Sequence, residues 1–397
     1  MKNRLEERGR EAFYLLEYEK KKMENCAGSL DSLASAFVMG MGKEGEKEDR
    51  QAFLWEKQME ENRQLFSGHL KEMAEVIKKS SRESIRIIRL GKRKERRIGR
   101  MLYLEGLLLD DFYLIEKENG RREAVIGLHL APGRRKRRIC SAEEVAGFLS
   151  VLLESKLIPS GRPPFFVTEE IQTMYFQEEC RFMVLTGFAK ATREKERISG
   201  DNHSFFETQE GDFFALLSDG MGSGEKACAD SELVLAMTER LLSSGFSEEM
   251  SLQLINDTLI VGGENKNMST MDLCRINLYN GEAQFLKVGA APSLIRREGY
   301  VEELPSNSLP LGVFSKLKPC KTSRILTDGD YIFLFSDGIT DSLHTEKGKL
   351  FLKEVVARTP YRHPKEMAAF LMKYVIRASK GKIRDDMTVL VIGIWSN

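Results

Sequence analysis

The chain has 397 residues, 42% of them hydrophobic and 30% charged, with a formal net charge of +1. That composition excludes a disordered chain, and the near-neutral balance supplies no overall field toward nucleic acid or an anionic membrane. The length implies two or three domains. Six scattered cysteines (Cys26, Cys140, Cys180, Cys228, Cys274, Cys320) include no pair at two-residue spacing, which points to reduced thiols and not to a disulfide or zinc framework. No apolar run approaches the roughly 20 residues of a membrane span, and the N-terminus has no signal-peptide core. The expectation is a cytoplasmic protein with no transmembrane span.

Residues 1–95 are rich in Glu, Lys, Arg, Leu and Met and contain no proline, so they read as a helical N-terminal region. Met59, Phe66, Leu70, Met73 and Ile77 fall at spacings of 7, 4, 3 and 4 and form one apolar stripe. Such a stripe serves an intramolecular core or a homodimer seam. Met39 to Glu48, with three glycines among charges, reads as a loop. The cluster Gly91 to Arg97 holds five bases and one acid, and with no aromatics interleaved it reads as a solvated helix face; no nucleic-acid partner is expected. A second basic run covers Arg134 to Arg138.

Residues 96–165 read as a small α+β unit. Asn119-Gly120 between two apolar runs is a hairpin signal, and Ser141 with Glu144 forms a capping box at a helix start. Ser160-Gly161-Arg162-Pro163-Pro164 breaks the chain and marks the boundary of a third region, 166–397. There strands are expected at 181–189, 212–217, 272–279, 282–288, 293–296, 331–335 and 387–395, with Asn280-Gly281 as a second hairpin turn. Helices are expected over 227–242, 247–259 and 364–376. The fold class is α+β, with a two-sheet core and helices outside.

The chemistry sits at strand ends. Phe214 to Leu217 runs into Ser218-Asp219-Gly220, Tyr331 to Phe335 into Ser336-Asp337-Gly338, and Asp385 precedes the strand from Met387. Asp201 follows the first strand of the region. Taken singly, Ser-Asp-Gly is a common turn. Four such carboxylates gathered in apolar surroundings repel one another unless cations neutralise them, and hard divalent cations prefer oxygen ligands. Two ions about 3.5–4 Å apart can activate a water for in-line attack on phosphorus. No cysteine has the setting of a thiol phosphatase, and no Gly-rich Lys-Ser/Thr loop suggests nucleotide binding.

In order, Ser-Gly-Asp (199–201), Ser-Asp-Gly-Met-Gly-Ser-Gly (218–224), Ser-Thr-Met-Asp-Leu (269–273), Gly-Ala-Ala-Pro-Ser (289–293), Leu-Pro-Leu-Gly-Val (309–313), Phe-Ser-Asp-Gly (335–338) and Arg-Asp-Asp-Met-Thr-Val (384–389) resemble the PP2C (PPM) class of metal-dependent serine/threonine phosphatases. More narrowly they resemble its stage II sporulation protein E branch (SpoIIE), over about residues 176–395; Gly-Ala-Ala-Pro-Ser favours that branch over the stress-response phosphatases. The resemblance implies an α/β/β/α arrangement, a central β-sandwich flanked by helices, preceded by a regulatory region. It also implies two Mn²⁺ or Mg²⁺ ions: Asp219 bridging both, Gly220 offering its carbonyl, Asp337 and Asp385 on one ion, and Asp201 acting through water on the other. The implied substrate is a phosphoserine on an anti-sigma-factor antagonist, with release of a sporulation sigma factor. Helices 227–242 and 247–259 match the switch helices through which the regulatory region completes the metal site. The alternatives are a non-catalytic scaffold of the same fold and a stress-response-type phosphatase with another phosphoprotein substrate.

Two departures stand out. Membrane-bound members carry an N-terminal transmembrane bundle that this chain lacks, which suggests a soluble paralogue or part of a longer protein. Met221 stands where eukaryotic relatives place a histidine as general acid. His203 reads as a structural histidine, and no arginine is assigned to clamp the phosphate.

Overall fold

A computed structural model describes a few positions between Met23 and Lys78, and then residues 86–397 except 89–90, 117–120, 133–139, 161–163, 195, 209, 223, 262–267, 299, 344–345 and 361. The Met39–Glu48 loop, the Arg134–Arg138 run and Met59 and Phe66 of the apolar stripe lie outside the described residues, while Leu70, Met73 and Ile77 are helical. Chain contacts define two compact units, one ending at Glu179 and one running from Cys180 to Asn397.

The first unit is a five-stranded antiparallel sheet in the order β1 (Arg86–Ile88), β2 (Leu107–Glu116), β3 (Arg122–Leu130), β7 (Gln172–Glu178), β5 (Leu157–Pro159). Helices α1 (Lys92–Leu104) and α2 (Ala142–Leu153) share one core with it, where Ile98, Leu102, Val145 and Leu149 meet Ile126, Leu128 and Phe176. The basic cluster forms the first turns of α1, with residues 93–97 exposed ahead of buried Ile98. β2 and β3 pair antiparallel with Glu116 opposite Arg122, and the expected Asn119-Gly120 turn lies outside the described residues. The capping box is present: Glu144 N donates to Ser141 Oγ at 3.2 Å, and Ser141 N donates to the Glu144 carboxylate at 3.1 Å. Such a cap is worth about 1 kcal/mol. A short pair, β4 (Cys140–Ser141) with β6 (Phe166–Val167), completes the unit's strands.

The second unit stacks two five-stranded antiparallel sheets. One has the order β15 (Cys320–Ile325), β12 (Glu282–Val288), β11 (Met271–Asn277), β10 (Asp212–Asp219), β9 (Asp201–Glu207). The other has the order β14 (Tyr300–Leu304), β13 (Ser293–Arg297), β16 (Tyr331–Phe335), β17 (Met387–Ser396), β8 (Phe182–Ala191). Strand alternation divides each central strand between two cores. Phe213, Ala215 and Leu217 of β10 meet Ile332, Leu334, Leu390 and Ile392 between the sheets. Phe214 and Leu216 face the opposite way and pack under α3 (Gly224–Ser243) and α4 (Glu248–Val261), against Val234, Leu235, Leu252 and Ile255. Phe333, Phe335, Val389 and Val391 meet α6 (Glu346–Arg358) and α7 (Pro364–Ala378) through Val356, Met367, Leu371 and Val375. The result is the helix–sheet–sheet–helix layering that the resemblance implied. Among the described residues, no helix is long and apolar enough to cross a membrane.

Candidate metal centre

Both sheets deliver carboxylates to one end of the sandwich. Asp201 opens β9 and Asp219 closes β10, and the two are direct cross-strand partners. On the other sheet Phe335 pairs with Val389, so Asp337, at the first position of α5 (Asp337–Asp341), lies beside the start of β17, just after Asp385. Asp201 is fully buried, Asp219 is half-buried, and Asp337 and Asp385 open to solvent. A buried floor thus rises to an exposed rim.

The local backbone is pinned. Asp219 N donates to Thr270 Oγ1 at 3.0 Å, Ser269 Oγ donates to the Asp219 carbonyl at 2.8 Å, and Thr270 N donates to the same carbonyl at 2.8 Å. A Cβ on Gly220 would sit 2.0 Å from the Ala227 carbonyl oxygen, so only glycine lets the first turn of α3 close on this loop. Gly338 has the same constraint, with the Asp386 carbonyl oxygen 2.0 Å from where its Cβ would be. Ser231 Oγ, also on α3, donates to the Gly200 carbonyl at 2.5 Å, and Asn202 Nδ2 donates to Ser231 Oγ at 2.9 Å. Helix α3 therefore touches the loops that carry both Asp201 and Asp219.

The electrostatics are those of an uncompensated acidic cluster. Burial first, then the charges of Asp201, Asp337 and Asp385, push the Asp219 carboxyl up to about 9. For Asp337, the protein behind it and then Asp385, Asp201 and Asp341 raise the group to about 6 even though it reaches solvent. Burial also raises Asp201; the Thr388 and Ser336 hydroxyls and Lys190 oppose the rise without cancelling it. Those hydroxyls lie near Asp201, but among the described residues neither carboxylate oxygen makes a geometrically well-formed hydrogen bond.

This donor set fits a hard divalent cation. All the donor atoms are oxygens, the carboxylates repel one another without added positive charge, and the deepest one has no well-formed hydrogen bond among the described residues. Among the described residues, no three Asp, Glu, His or Cys side chains converge closely enough to enclose an ion by themselves. Magnesium-like ions do not require that, because they retain several waters and bind through one or two carboxylates.

Three residues escaped the sequence reading. Asp386 accepts Arg193 N at 2.8 Å on one oxygen and Gly200 N at 2.6 Å on the other, so it anchors the loop leading to Asp201. Asp272 and Lys287 form a buried ion pair beside the site. Their signal was available, since the Asn280-Gly281 turn sets a register that pairs residue 272 with 287. His203 packs tilted against Phe188 and edge-on against Phe205, with ring centroids 4.2 and 5.4 Å away, and burial lowers its basicity.

Comparison with known proteins agrees with this geometry. Residues 209–395 match the family model for stage II sporulation protein E (SpoIIE). The chain is 29% identical over 342 residues to stage II sporulation protein E of Bacillus subtilis (strain 168), covering 86% of this chain and 41% of that protein. It is 22% identical over 202 residues to phosphoserine phosphatase RsbU of the same organism, covering 50% of this chain and 60% of the relative. The chain therefore spans less than two thirds of the length of these curated relatives. The solved structure of the PP2C phosphatase domain and a fragment of the regulatory domain of B. subtilis SpoIIE superposes with a TM-score of 0.60 at 27% identity, covering 86% of this chain and 98% of that one. The sandwich, its acidic end and these matches together make the C-terminal part of this chain similar in sequence and fold to the PP2C phosphatase domain of stage II sporulation protein E.

Proposed function

We propose that the chain is a metal-dependent phosphoprotein phosphatase that hydrolyses phosphoserine. The observation that carries this reading is the convergence of Asp201, Asp219, Asp337 and Asp385 at one end of the sandwich, with Asp219 held far above the ordinary carboxylate range by burial and like charge. Asp219 would be shared between the ions, Gly220 would offer its carbonyl, Asp337 and Asp385 would hold one ion, and Asp201 would act on the other through water. When bound, two Mn²⁺ or Mg²⁺ ions supply the charge that neutralises the phosphate and an activated water for attack. The protein's own contribution is to fix the carboxylates: Thr270 and Ser269 hold Asp219 in place, and Asp386 holds the Asp201 loop. Met221 is not an acid, so the serine oxygen of the leaving group takes its proton from solvent at the open rim.

The substrate we favour is a phosphorylated anti-sigma-factor antagonist, in sporulation sigma-factor control. The greater identity and coverage with the sporulation relative than with RsbU support that choice. The site lies in the cytoplasm on this reading, and α3 with α4 forms the switch through which the N-terminal region controls it. The test is manganese-dependent release of phosphate from a phosphoserine antagonist. Asp219→Ala is expected to lower the rate by about a thousandfold or more, the loss of several kcal/mol of charge stabilisation. A folded Asp219→Ala protein with wild-type turnover would reject the assignment.

A further inference from the structure

Beside the acidic end lies a charged pair that the proposed chemistry does not use. Lys287 on β12 and Asp272 on β11 are cross-strand partners, 1% and 0% exposed. All three ammonium hydrogens are placed: Lys287 Nζ donates to Asp272 Oδ2 at 2.5 Å, to Ser293 Oγ at 2.6 Å and to the Ala291 carbonyl at 2.8 Å. Ser293 Oγ in turn donates to Asp272 Oδ2 at 3.0 Å. One oxygen of Asp272 thus carries every bond, and the other, Oδ1, is buried with no partner among the described residues. Asp272 also lines a cavity of about 10 Å³ whose other walls include Asp219, Thr270, Ser336 and Asp337. That volume suits about one water, and a buried water typically bridges polar groups that otherwise lack partners.

We propose that Lys287, Ser293 and Asp272 form a positioning platform, in which Asp272 Oδ1 holds a single trapped water that braces Asp219 and Asp337 in the geometry required for metal binding. The three residues touch neither metal nor substrate. Lys287 and Ser293 saturate Oδ2, which fixes the carboxylate plane and leaves Oδ1 for the water. A hydrophobic pair in place of the ion pair would preserve packing, since buried ion pairs are often replaceable without loss of stability. It would not hold the water. Partners that orient metal ligands typically govern metal affinity or activity by about 10–100-fold.

This inference rests on reading the aspartates as metal ligands, and the experiment separates the two. The full chain is compared with the double variant Lys287→Met/Asp272→Leu and with Ser293→Ala. The measurements are manganese titration calorimetry on metal-free protein, thermal melting, and kcat and KM on a phosphoserine substrate. The expected result is a double variant that melts near wild type, binds manganese about tenfold or more weakly, and loses kcat by a similar factor with KM within about twofold. Ser293→Ala, which removes one bond to Oδ2 and little volume, is expected to move the same quantities in the same direction by a smaller factor. Manganese affinity and kcat within about twofold of wild type in a folded variant overturn the platform; should the double variant not fold, Ser293→Ala decides by the same criterion. A wild-type chain that binds no divalent cation overturns the metal reading and the platform with it. One that binds manganese but hydrolyses nothing overturns only the enzymatic reading, and the calorimetry still decides the platform.

Discussion

Two clusters of buried charge lie side by side at one end of the sandwich, and the protein treats them in opposite ways. Asp272 meets a lysine, a serine and a closed set of hydrogen bonds. Asp201 and Asp219 face each other across β9 and β10; the charges acting on Asp219 are carboxylates, and at Asp201 Lys190 opposes the rise without cancelling it. The first cluster is neutral within the fold. The second stays net acidic within the fold. A fold that buries a lysine against Asp272 but surrounds Asp219 with acidic neighbours favours positive charge at that end, and this contrast marks the candidate site more sharply than the acidity itself.

The strongest way to probe the contrast is to make the first cluster resemble the second. Lys287→Met alone strands the Asp272 carboxylate in the interior and is expected to cost about 3–5 kcal/mol of stability. Denaturant unfolding measures this directly, and a loss under about 1 kcal/mol would mean that Asp272 finds another partner.

Next in size is the behaviour of the second cluster with pH. Asp219 holds its proton up to about pH 9 in the metal-free fold, whereas in the unfolded chain it ionises near its model value of 3.8. The folded pKa is the higher one, so its contribution to stability is fully present below about pH 4 and is lost as pH rises toward 9. Asp337, raised to about 6, acts in the same sense over a narrower window. Metal-free protein is therefore expected to melt lower at pH 8 than at pH 6. Saturating Mn²⁺ should flatten that slope and raise the midpoint by at least the ~2–4 °C that about 1 kcal/mol gives a domain of this size. A metal-free midpoint that rises over the same interval would contradict the uncompensated cluster.

The smallest change tests the support from α3. Ser231→Ala removes the bond to the Gly200 carbonyl and should cost about 1 kcal/mol in stability. Manganese affinity should fall with it, because the loop before Asp201 loses a tether. Unchanged affinity by calorimetry would place control of the site elsewhere.

The parts of this fold that the sequence made legible are those buried on two faces. β10, β16 and β17 read as unbroken apolar runs because one side of each packs between the sheets and the other under helices. Of the second unit's edge strands, β8 is legible at 181–189, whereas β9, β14 and β15 are not. β15 alternates between exposed and half-buried positions and reads Cys-Lys-Thr-Ser-Arg-Ile, while β9 opens with Asp-Asn-His-Ser. Edge positions lack the burial that writes a strand into composition. The acidic residues announced themselves by ending apolar runs, whereas Lys287, within Phe285-Leu286-Lys287-Val288, resembles any solvent-facing position of an alternating strand. Its burial emerges only when its partner fifteen residues earlier is placed opposite it. Asp386 is harder still, because its two backbone partners lie 193 and 186 residues away in sequence.

The fit of Ala227 against Gly220, with no room between them for a single carbon atom, has a thermodynamic corollary. Helix and loop cannot shift independently, so occupancy of the metal centre and seating of α3 are reciprocal quantities. Any partner that presses the helix home must tighten ion binding by some factor, and the ion must strengthen that partner's grip by the same factor.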